Sequence, residues 1–166
     1  VTSGNKASIT GVYKIAARNN PHGEGLIPTM KFSDNHEKTT NPGVKNVWRL
    51  YDEEGMSKAD IVALAEEEIV PGKEYCFHHP SGDYRQFHFT PAKVEPLLIK
   101  QIEKGKRVTE KKDDREVLKE ARETMRQQLE KFHCSYKRLL NPHIYKVSIT
   151  DDLQDMKLEF IKTRIK

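Results

Sequence analysis

Three histidines near the middle of the chain are the residues whose type most readily suggests chemistry. His78, His79 and His88 flank a predicted turn, Pro80–Asp83, and three imidazoles are a frequent ligand set for zinc. Adjacent residues of a strand point to opposite faces of the sheet, so His78 and His79 would not share one ion. No thiol or carboxylate stands at a recognised ligand spacing beside them. The pattern favours surface histidines, and we expect this segment to bind no metal.

A small polar loop at the start of the chain is a second candidate site. The hydroxyls of Thr2 and Ser3 precede Gly4 and Lys6, and these residue types suit contact with phosphate or a substrate. The loop lacks the full glycine-rich signature of a P-loop. An ordinary turn therefore remains the alternative to a binding loop.

Two aspartate pairs suggest a metal–diphosphate site only at first sight. Asp113-Asp114 and Asp151-Asp152 each stand where a helix is predicted to begin. Carboxylates at that position stabilise the unpaired N–H groups of the first helical turn. We interpret both pairs as helix-capping residues.

The densest basic stretch, Lys100–Arg107 followed by Lys111-Lys112, contains no aromatic residue and is interrupted by Glu103 and Glu110. Binding of single-stranded nucleic acid usually interleaves aromatics with cations, so we predict a solvated hairpin tip. Nucleophile, base and acid side chains occur in no recognised catalytic motif. By its own residues, the chain contains no predicted catalytic centre.

Short strands must position most of these residues. Between residues 11 and 110 the chain carries brief β-type runs separated by turn clusters rich in Asn, Asp, Pro and Gly. The turns predicted to form hairpins include Asp52–Gly55 and Pro80–Asp83. The predicted strands are Gly11–Ala17, Met30–Phe32, Val47–Tyr51, Ala59–Ala65, Tyr75–Phe77 and Arg85–Phe89. For Ala59–Ala65 a helical turn is the alternative.

Two helices follow the strands. Asp113 and Glu116 have the spacing of a capping box, and Asn141-Pro142 should end the first helix. This helix is longer than a small sheet needs, so part of its apolar stripe should face something outside these residues. A second helix should begin near Thr150. The stripe residues, three or four positions apart, are Leu118, Ala121, Met125, Leu129, Phe132, Tyr136 and Leu139.

The totals limit the class of protein. With 166 residues, 36% hydrophobic residues and a net charge of +4, the chain has room for one modest core. Cys76 and Cys134 form no CxxC pair, which predicts reduced thiols in a reducing compartment. No apolar run reaches the roughly 20 residues of a membrane span, and no signal peptide is evident. We expect a cytoplasmic protein.

Four blocks, in order, resemble the C-terminal third of nicotinate phosphoribosyltransferase. The central block is the most specific of the four, whereas Lys111–Glu116 is more charged than expected of the family and the opening loop diverges. The blocks are GVYKIAA (Gly11–Ala17), MKFSDNHEKTTNPGVKNVWRLYD (Met30–Asp52), EPLLIKQIEKGK (Glu95–Lys106) and YKRLLNPHIYKVSIT (Tyr136–Thr150).

The resemblance implies an α+β segment, with short antiparallel strands and hairpins followed by a long amphipathic helix and a shorter one, as the C-terminal part of a larger α/β-barrel enzyme. Residues 1–10 would end the preceding barrel strand, 11–110 would form a mainly β domain, and 111–166 a helical segment. The start of the chain accordingly looks cut.

The family converts nicotinate and phosphoribosyl pyrophosphate to nicotinate mononucleotide and pyrophosphate, usually helped by ATP. Its resemblance to this chain implies Mg²⁺ and ATP for the full enzyme, a homodimer, and a barrel and N-terminal domain as partners. The family's phosphorylated histidine and nicotinate-binding arginine precede the matched region, so neither transfers to His22 or His36. Thr2 and Ser3 would lie at the edge of the substrate site, with Lys14 a further candidate.

We therefore predict a structural and interface-forming segment without a complete active site, catalytic only as part of the full enzyme. The alternative is a free-standing basic module that binds RNA or a protein partner through the region Lys100–Lys112.

Overall fold

A computed structural model describes residues 13–34, 38–78 and 86–164, and the chain divides into two compact units, 1–44 and 45–166. In the first unit, β1 (Ala17–Asn19) pairs antiparallel with β2 (Leu26–Pro28). The Asn20 side chain accepts a hydrogen bond from the His22 N–H at 2.9 Å, an Asx turn that starts the connection between the strands.

The strand predicted at Met30–Phe32 is wrong, because the nearby strand lies earlier, at β2. After β2 the Lys31 N–H donates to the Thr40 hydroxyl at 2.9 Å, and the Thr40 N–H donates to the Lys31 carbonyl at 3.1 Å. This pair of bonds closes the polar turn without a strand ladder. The run predicted over Gly11–Ala17 is strand only at Ala17 among its described residues.

The second unit is built on a six-stranded sheet. The sheet strands are β3 (Lys45–Tyr51), β4 (Ser57–Leu64), β5 (Tyr75–His78), β6 (Gln86–Phe89), β7 (Lys93–Pro96) and β10 (Lys146–Ile149). Their order across the sheet is β6-β5-β10-β4-β3-β7. A separate short hairpin of β8 (Ile102–Glu103) and β9 (Lys106–Arg107) follows β7 along the chain.

The hairpin predicted at Asp52–Gly55 is confirmed as the connection between β3 and β4. The Asp52 carboxylate accepts from the Met56 N–H at 2.8 Å, and Gly55 adopts a positive φ of 75°. The predicted strand Ala59–Ala65 corresponds to β4, and β5 pairs with β6 as expected. The turn between β5 and β6 lies outside the described residues.

Strand β10 was not anticipated, since residues 111–166 were predicted to be helical. It runs parallel to β4 and antiparallel to β5, so the last part of the chain supplies a central strand of the sheet. Only Ser148 and Ile149 of its four residues are buried. A run this short has no periodicity that distinguishes strand from loop.

The first helix, α1 (Asp114–Glu130), begins where the capping residues predicted but ends earlier than Asn141. The Asp113 carboxylate accepts from the Arg115 N–H at 3.0 Å. Beyond the helix, the Lys131 carbonyl accepts from the Ser57 N–H of β4 at 2.8 Å, and a short 3-10 helix, Cys134–Lys137, follows. The chain leaves the helical path because its backbone bonds to the sheet.

The second helix, α2 (Asp151–Arg164), starts as predicted. Its Leu153 is fully buried against Leu64 and Ile149 on one face of the sheet. The opposite face carries the larger core cluster, whereas no residue of α1 is buried. Neither helix described in the structure is long and apolar enough to cross a membrane. The buried members of the larger cluster are Leu50, Ala59, Ile61, Ala63, Ile69 and Phe77.

Candidate functional site

Of the three predicted substrate contacts, Lys14 alone lies within the described residues. Thr2 and Ser3, with the rest of the opening loop, lie outside the described residues, as do His36 and His79. Lys14 is described and lies exposed before β1. The substrate-binding roles of Thr2, Ser3 and Lys14 therefore stay predictions.

The basic stretch forms an exposed hairpin tip, as predicted. Lys104, at φ 48°, and Gly105, at φ 76°, make the two-residue connection between β8 and β9, the positive-φ geometry that two-residue hairpins favour. Lys100 bonds to Glu103 at 3.0 Å. Lys112 bonds to Glu120 of α1 at 2.7 Å, so acidic neighbours offset part of the positive charge.

A polar cluster joins the sheet to the end of α1. Arg49 of β3 lies opposite Asp60 of β4, and its Nε and Nη2 each donate to one carboxylate oxygen at 2.8 Å. Arg49 also donates to the Gln128 side chain, and its guanidinium lies 5.1 Å from the centre of the Phe132 ring. The Tyr145 hydroxyl donates to the same carboxylate at 3.0 Å.

Electrostatics fix the protonation of two members of this cluster, Arg49 and Tyr145. The hydrogen bond from Arg49 to Asp60 raises the pKa of the guanidinium further. Burial, reinforced by the Asp60 charge, raises the pKa of the Tyr145 hydroxyl well above its usual range. Neither the Arg49 guanidinium nor the Tyr145 hydroxyl exchanges a proton near neutral pH, so these two groups serve as hydrogen-bond donors that anchor the fold.

A second cluster brings together a thiol, an imidazole and a carboxylate. Cys76 and His78 alternate with buried Phe77 on β5, so both point to the face that α2 covers. Asp151, in the first turn of α2, places a carboxylate oxygen 2.5 Å from the His78 Nε2. The ligand atoms of Cys76, His78 and Asp151 all lie within 4.8 Å of one another.

Burial, with the charges of Asp151 and Glu74, raises the pKa of the Cys76 thiol. The thiol is therefore protonated in the absence of a cation, which disfavours a role as a free nucleophile. Its donor set also argues against Mg²⁺, which prefers oxygen ligands only. These three residues therefore do not fit the Mg²⁺ that the sequence resemblance implies for the full enzyme.

Sequence reasoning missed this cluster although one signal was present. It considered His78 with His79 and His88 and found no thiol or carboxylate at ligand spacing. Cys76 stands two residues before His78, the spacing that places both side chains on one face of a strand. Asp151 lies 73 positions away from His78, and only the packing of α2 on β5 brings it there.

The apolar stripe of α1 is uncovered by the described residues. The exposed fractions of Leu118, Met125 and Leu129 are 54%, 58% and 48%. Leu140 and Ile144, in the segment before β10, are 83% and 92% exposed. Large exposed apolar patches are rare on soluble monomers, and where they occur they often mark an interaction site.

The fold and these clusters define an α+β domain whose polar clusters join the strands of its sheet to the segments packed on them. A family profile described as the nicotinate phosphoribosyltransferase C-terminal domain matches residues 44–157. The chain belongs to this family.

Individual relatives agree with the family assignment. Nicotinate phosphoribosyltransferase of Homo sapiens is 30% identical over 154 residues, which cover 93% of this chain and 27% of the relative. Nicotinate phosphoribosyltransferase 1 of Arabidopsis thaliana is 32% identical over 157 residues, 93% of this chain and 26% of the relative. The chain thus spans about a quarter of the length of the curated relatives that it matches.

A solved structure gives the same result for the fold. The crystal structure of human nicotinic acid phosphoribosyltransferase superimposes with a TM-score of 0.64 and 27% sequence identity, over 74% of this chain and 24% of that chain. The α+β architecture expected from the sequence is confirmed by this match.

Proposed function

We propose that this chain works as the C-terminal domain of an enzyme that transfers the phosphoribosyl group of phosphoribosyl pyrophosphate to nicotinate. The products are nicotinate mononucleotide and pyrophosphate, and the reaction is assisted by ATP. The observation that carries the proposal is the similarity over 93% of this chain to nicotinate phosphoribosyltransferases, of which the matched region makes up 27% and 26%.

In this proposal the domain is structural and interface-forming. The reacting groups, with Mg²⁺ and ATP, bind to the remainder of the enzyme, which comprises a barrel and an N-terminal domain and assembles as a cytoplasmic homodimer. Thr2 and Ser3 lie at the edge of the substrate site, and Lys14 is a further contact. Developing positive charge on the ribose is stabilised by groups outside the described residues.

The exposed stripe of α1 supports the interface role. Full burial of a leucine or methionine side chain stabilises by about 1.5–3 kcal/mol relative to leaving it exposed. The described residues leave Leu118 and Met125 more than half exposed, at 54% and 58%. We assign the remainder of the same enzyme as the surface that covers them.

The test compares two purified proteins under identical conditions. The full-length protein that contains this chain should form nicotinate mononucleotide from nicotinate and phosphoribosyl pyrophosphate, and the 166-residue chain alone should not. Adding the chain to a truncated protein that lacks these residues should restore activity if the chain supplies only structure and interface. Turnover by the chain alone would refute the interface role, and an inactive full-length protein that is folded would refute the activity.

Membership of the enzyme family favours this proposal over a basic RNA-binding module. The pairing of Lys100 with Glu103 and of Lys112 with Glu120 also lowers the positive potential that such a module needs. Salt-dependent retention of the full-length protein on a polyanion, lost on neutralising Lys104, Lys106 and Arg107, would reverse this preference.

A further inference from the structure

We infer that Cys76, His78 and Asp151 form a binding site for Zn²⁺ that joins β5 to the start of α2. The inference starts from ligand chemistry. A thiolate, an imidazole and a carboxylate are the three ligand types that zinc accepts in proteins. Their ligand atoms already lie within 4.8 Å of one another.

The distances suit a tetrahedral ion after small side-chain rotations. Zinc lies about 2.0–2.3 Å from such ligands, which places the ligand atoms roughly 3–4 Å apart. The Asp151 carboxylate is 2.5 Å from the His78 Nε2, so these two atoms must separate slightly to admit the ion. The Asp151 side chain is 61% exposed, which leaves it room to turn.

The backbone holds the ligands without help from the ion. Cys76 and His78 pair with β6 through His88 and Gln86, so the strand fixes their common face. Cys76 and His78 are both half-buried. Ligands held in this way lose little conformational freedom when a metal binds.

The charges of the site balance those of the ion. On binding, the S–H bond of Cys76 breaks, sulfur keeps the electron pair for the metal and the proton is released to solvent. Thiolate and Asp151 carboxylate then carry two negative charges against the two positive charges of zinc. Glu74, whose side chain is 70% exposed, adds a further negative charge that acts on the same thiol.

An ion pair between His78 and Asp151 is the competing interpretation. It does not account for the Cys76 thiol, whose sulfur lies within 4.8 Å of both other ligand atoms. Three protein ligands leave a fourth position for water, the arrangement of a zinc site that is not closed. Oxygen-seeking ions such as Mg²⁺ are excluded by the sulfur and nitrogen donors.

Cobalt(II) alone is the probe, because it takes the same ligands as zinc and gives a thiolate charge-transfer absorption when sulfur is bound. The full-length protein is stripped with a chelator and titrated with Co²⁺, while far-ultraviolet circular dichroism monitors the fold. One equivalent should bind with the charge-transfer band, and Zn²⁺ should displace it. Excess Mg²⁺ should not.

Variants assign the band to the three residues. Cys76→Ser should abolish the charge-transfer band, whereas Asp151→Asn should keep the band and weaken Co²⁺ binding by about 10–100-fold, the range that even outer partners of a metal site produce. Cys134→Ser is the matched control, since Cys134 is exposed and also lies beside a histidine, with its Sγ 3.9 Å from the His133 Nε2. It should bind Co²⁺ like the unchanged protein.

Three results would overturn the inference: no band in the unchanged protein, a band that survives in Cys76→Ser, or a band that is lost in Cys134→Ser. If Cys76→Ser fails to fold, Asp151→Asn decides, because its side chain is exposed and unchanged Co²⁺ affinity would exclude Asp151 as a ligand. None of these measurements depends on transferase activity, so the zinc site and the proposed function stand or fall separately.

Discussion

Arg49 and Asp60 face each other across neighbouring strands, and the guanidinium donates two hydrogen bonds of 2.8 Å to the carboxylate. Their side chains are only 13% and 12% exposed, so the pair is shielded from solvent. Tyr145, which precedes β10, donates to the same carboxylate. This contact connects the first hairpin of the sheet to a segment 85 positions later in the chain.

The Arg49–Asp60 pair should be a main determinant of stability. We expect Arg49→Ala to lower the free energy of unfolding by about 3–5 kcal/mol, because removing one partner leaves a buried carboxylate without its counter-charge. Urea denaturation measures the change. Lys100→Ala is the control, since it breaks a pair whose side chains are 65% and 52% exposed and should cost less than about 1 kcal/mol. Equal costs for the two variants would contradict the prediction.

The Tyr145 hydroxyl should contribute separately. Tyr145→Phe keeps the ring contact with Phe132, whose centre lies 4.8 Å away, and removes only the donor to Asp60. A hydrogen bond to a charged group contributes about 1.5–3 kcal/mol, and Arg49 still satisfies the carboxylate, so we expect a loss near the lower end of that range. Tyr136→Phe is the matched control. An equal loss of stability in that variant would show that the effect of Tyr145→Phe does not come from the bond to Asp60.

Tyr51 should give the domain a dependence on alkaline pH. Burial, with the hydrogen bond to Glu95 at 2.7 Å, raises the pKa of Tyr51 to about 12, above the value of about 10 in an unfolded chain. The folded state therefore favours the neutral phenol. Its stabilising contribution is complete below pH about 10 and is lost as the pH rises through about 12.

The difference in unfolding free energy between the unchanged protein and Tyr51→Phe isolates this effect from other titrations. We expect the unchanged protein to be the more stable at neutral pH, and its advantage to shrink between pH about 10 and about 12. Denaturant unfolding at several pH values measures it. A difference that does not change with pH would rule out the raised pKa of Tyr51.

The stripe of α1 offers a test of the proposed interface. Leu118→Gln with Met125→Gln should change the stability of the 166-residue chain by no more than about 0.5 kcal/mol, because both side chains are exposed. In the full-length protein the same pair should lower the unfolding free energy by roughly 1–2 kcal/mol per side chain, because only the exposed half of each side chain remains to be buried there. Glu116→Gln, on the opposite side of α1, is the control. If the two substitutions lower the unfolding free energy equally in the chain and in the full-length protein, the stripe is not the surface that the rest of the protein covers.

Substitution of Gly55 should lower stability according to how poorly the new residue adopts a positive φ. At φ 75°, with no atom within 4 Å of an added Cβ, an alanine meets no clash but adopts a left-handed conformation that costs about 1–2 kcal/mol. Gly55→Asn should cost less, since asparagine visits this conformation more readily. Thermal unfolding ranks the two variants, and an alanine as stable as glycine would contradict the argument.

Local signals in the sequence determined much of this fold. The turn before Met56, the cap at Asp113 and the start of α2 each depend on residues that bond to backbone only a few positions away. Asp52 reaches the Met56 N–H and Asp113 reaches the Arg115 N–H. Such contacts form between neighbours whatever the rest of the chain does, so residue types alone predict them.

The tertiary structure alone decided the end of α1, the position of β10 and the cluster of Cys76 with His78 and Asp151. The apolar spacing continues past Glu130, yet the Lys131 carbonyl bonds to Ser57 of β4, and this distant partner ends the helix. His78 and Asp151 are likewise 73 positions apart. Spacing along the chain carries no information about such partners, because they meet only when the sheet and its helices pack together.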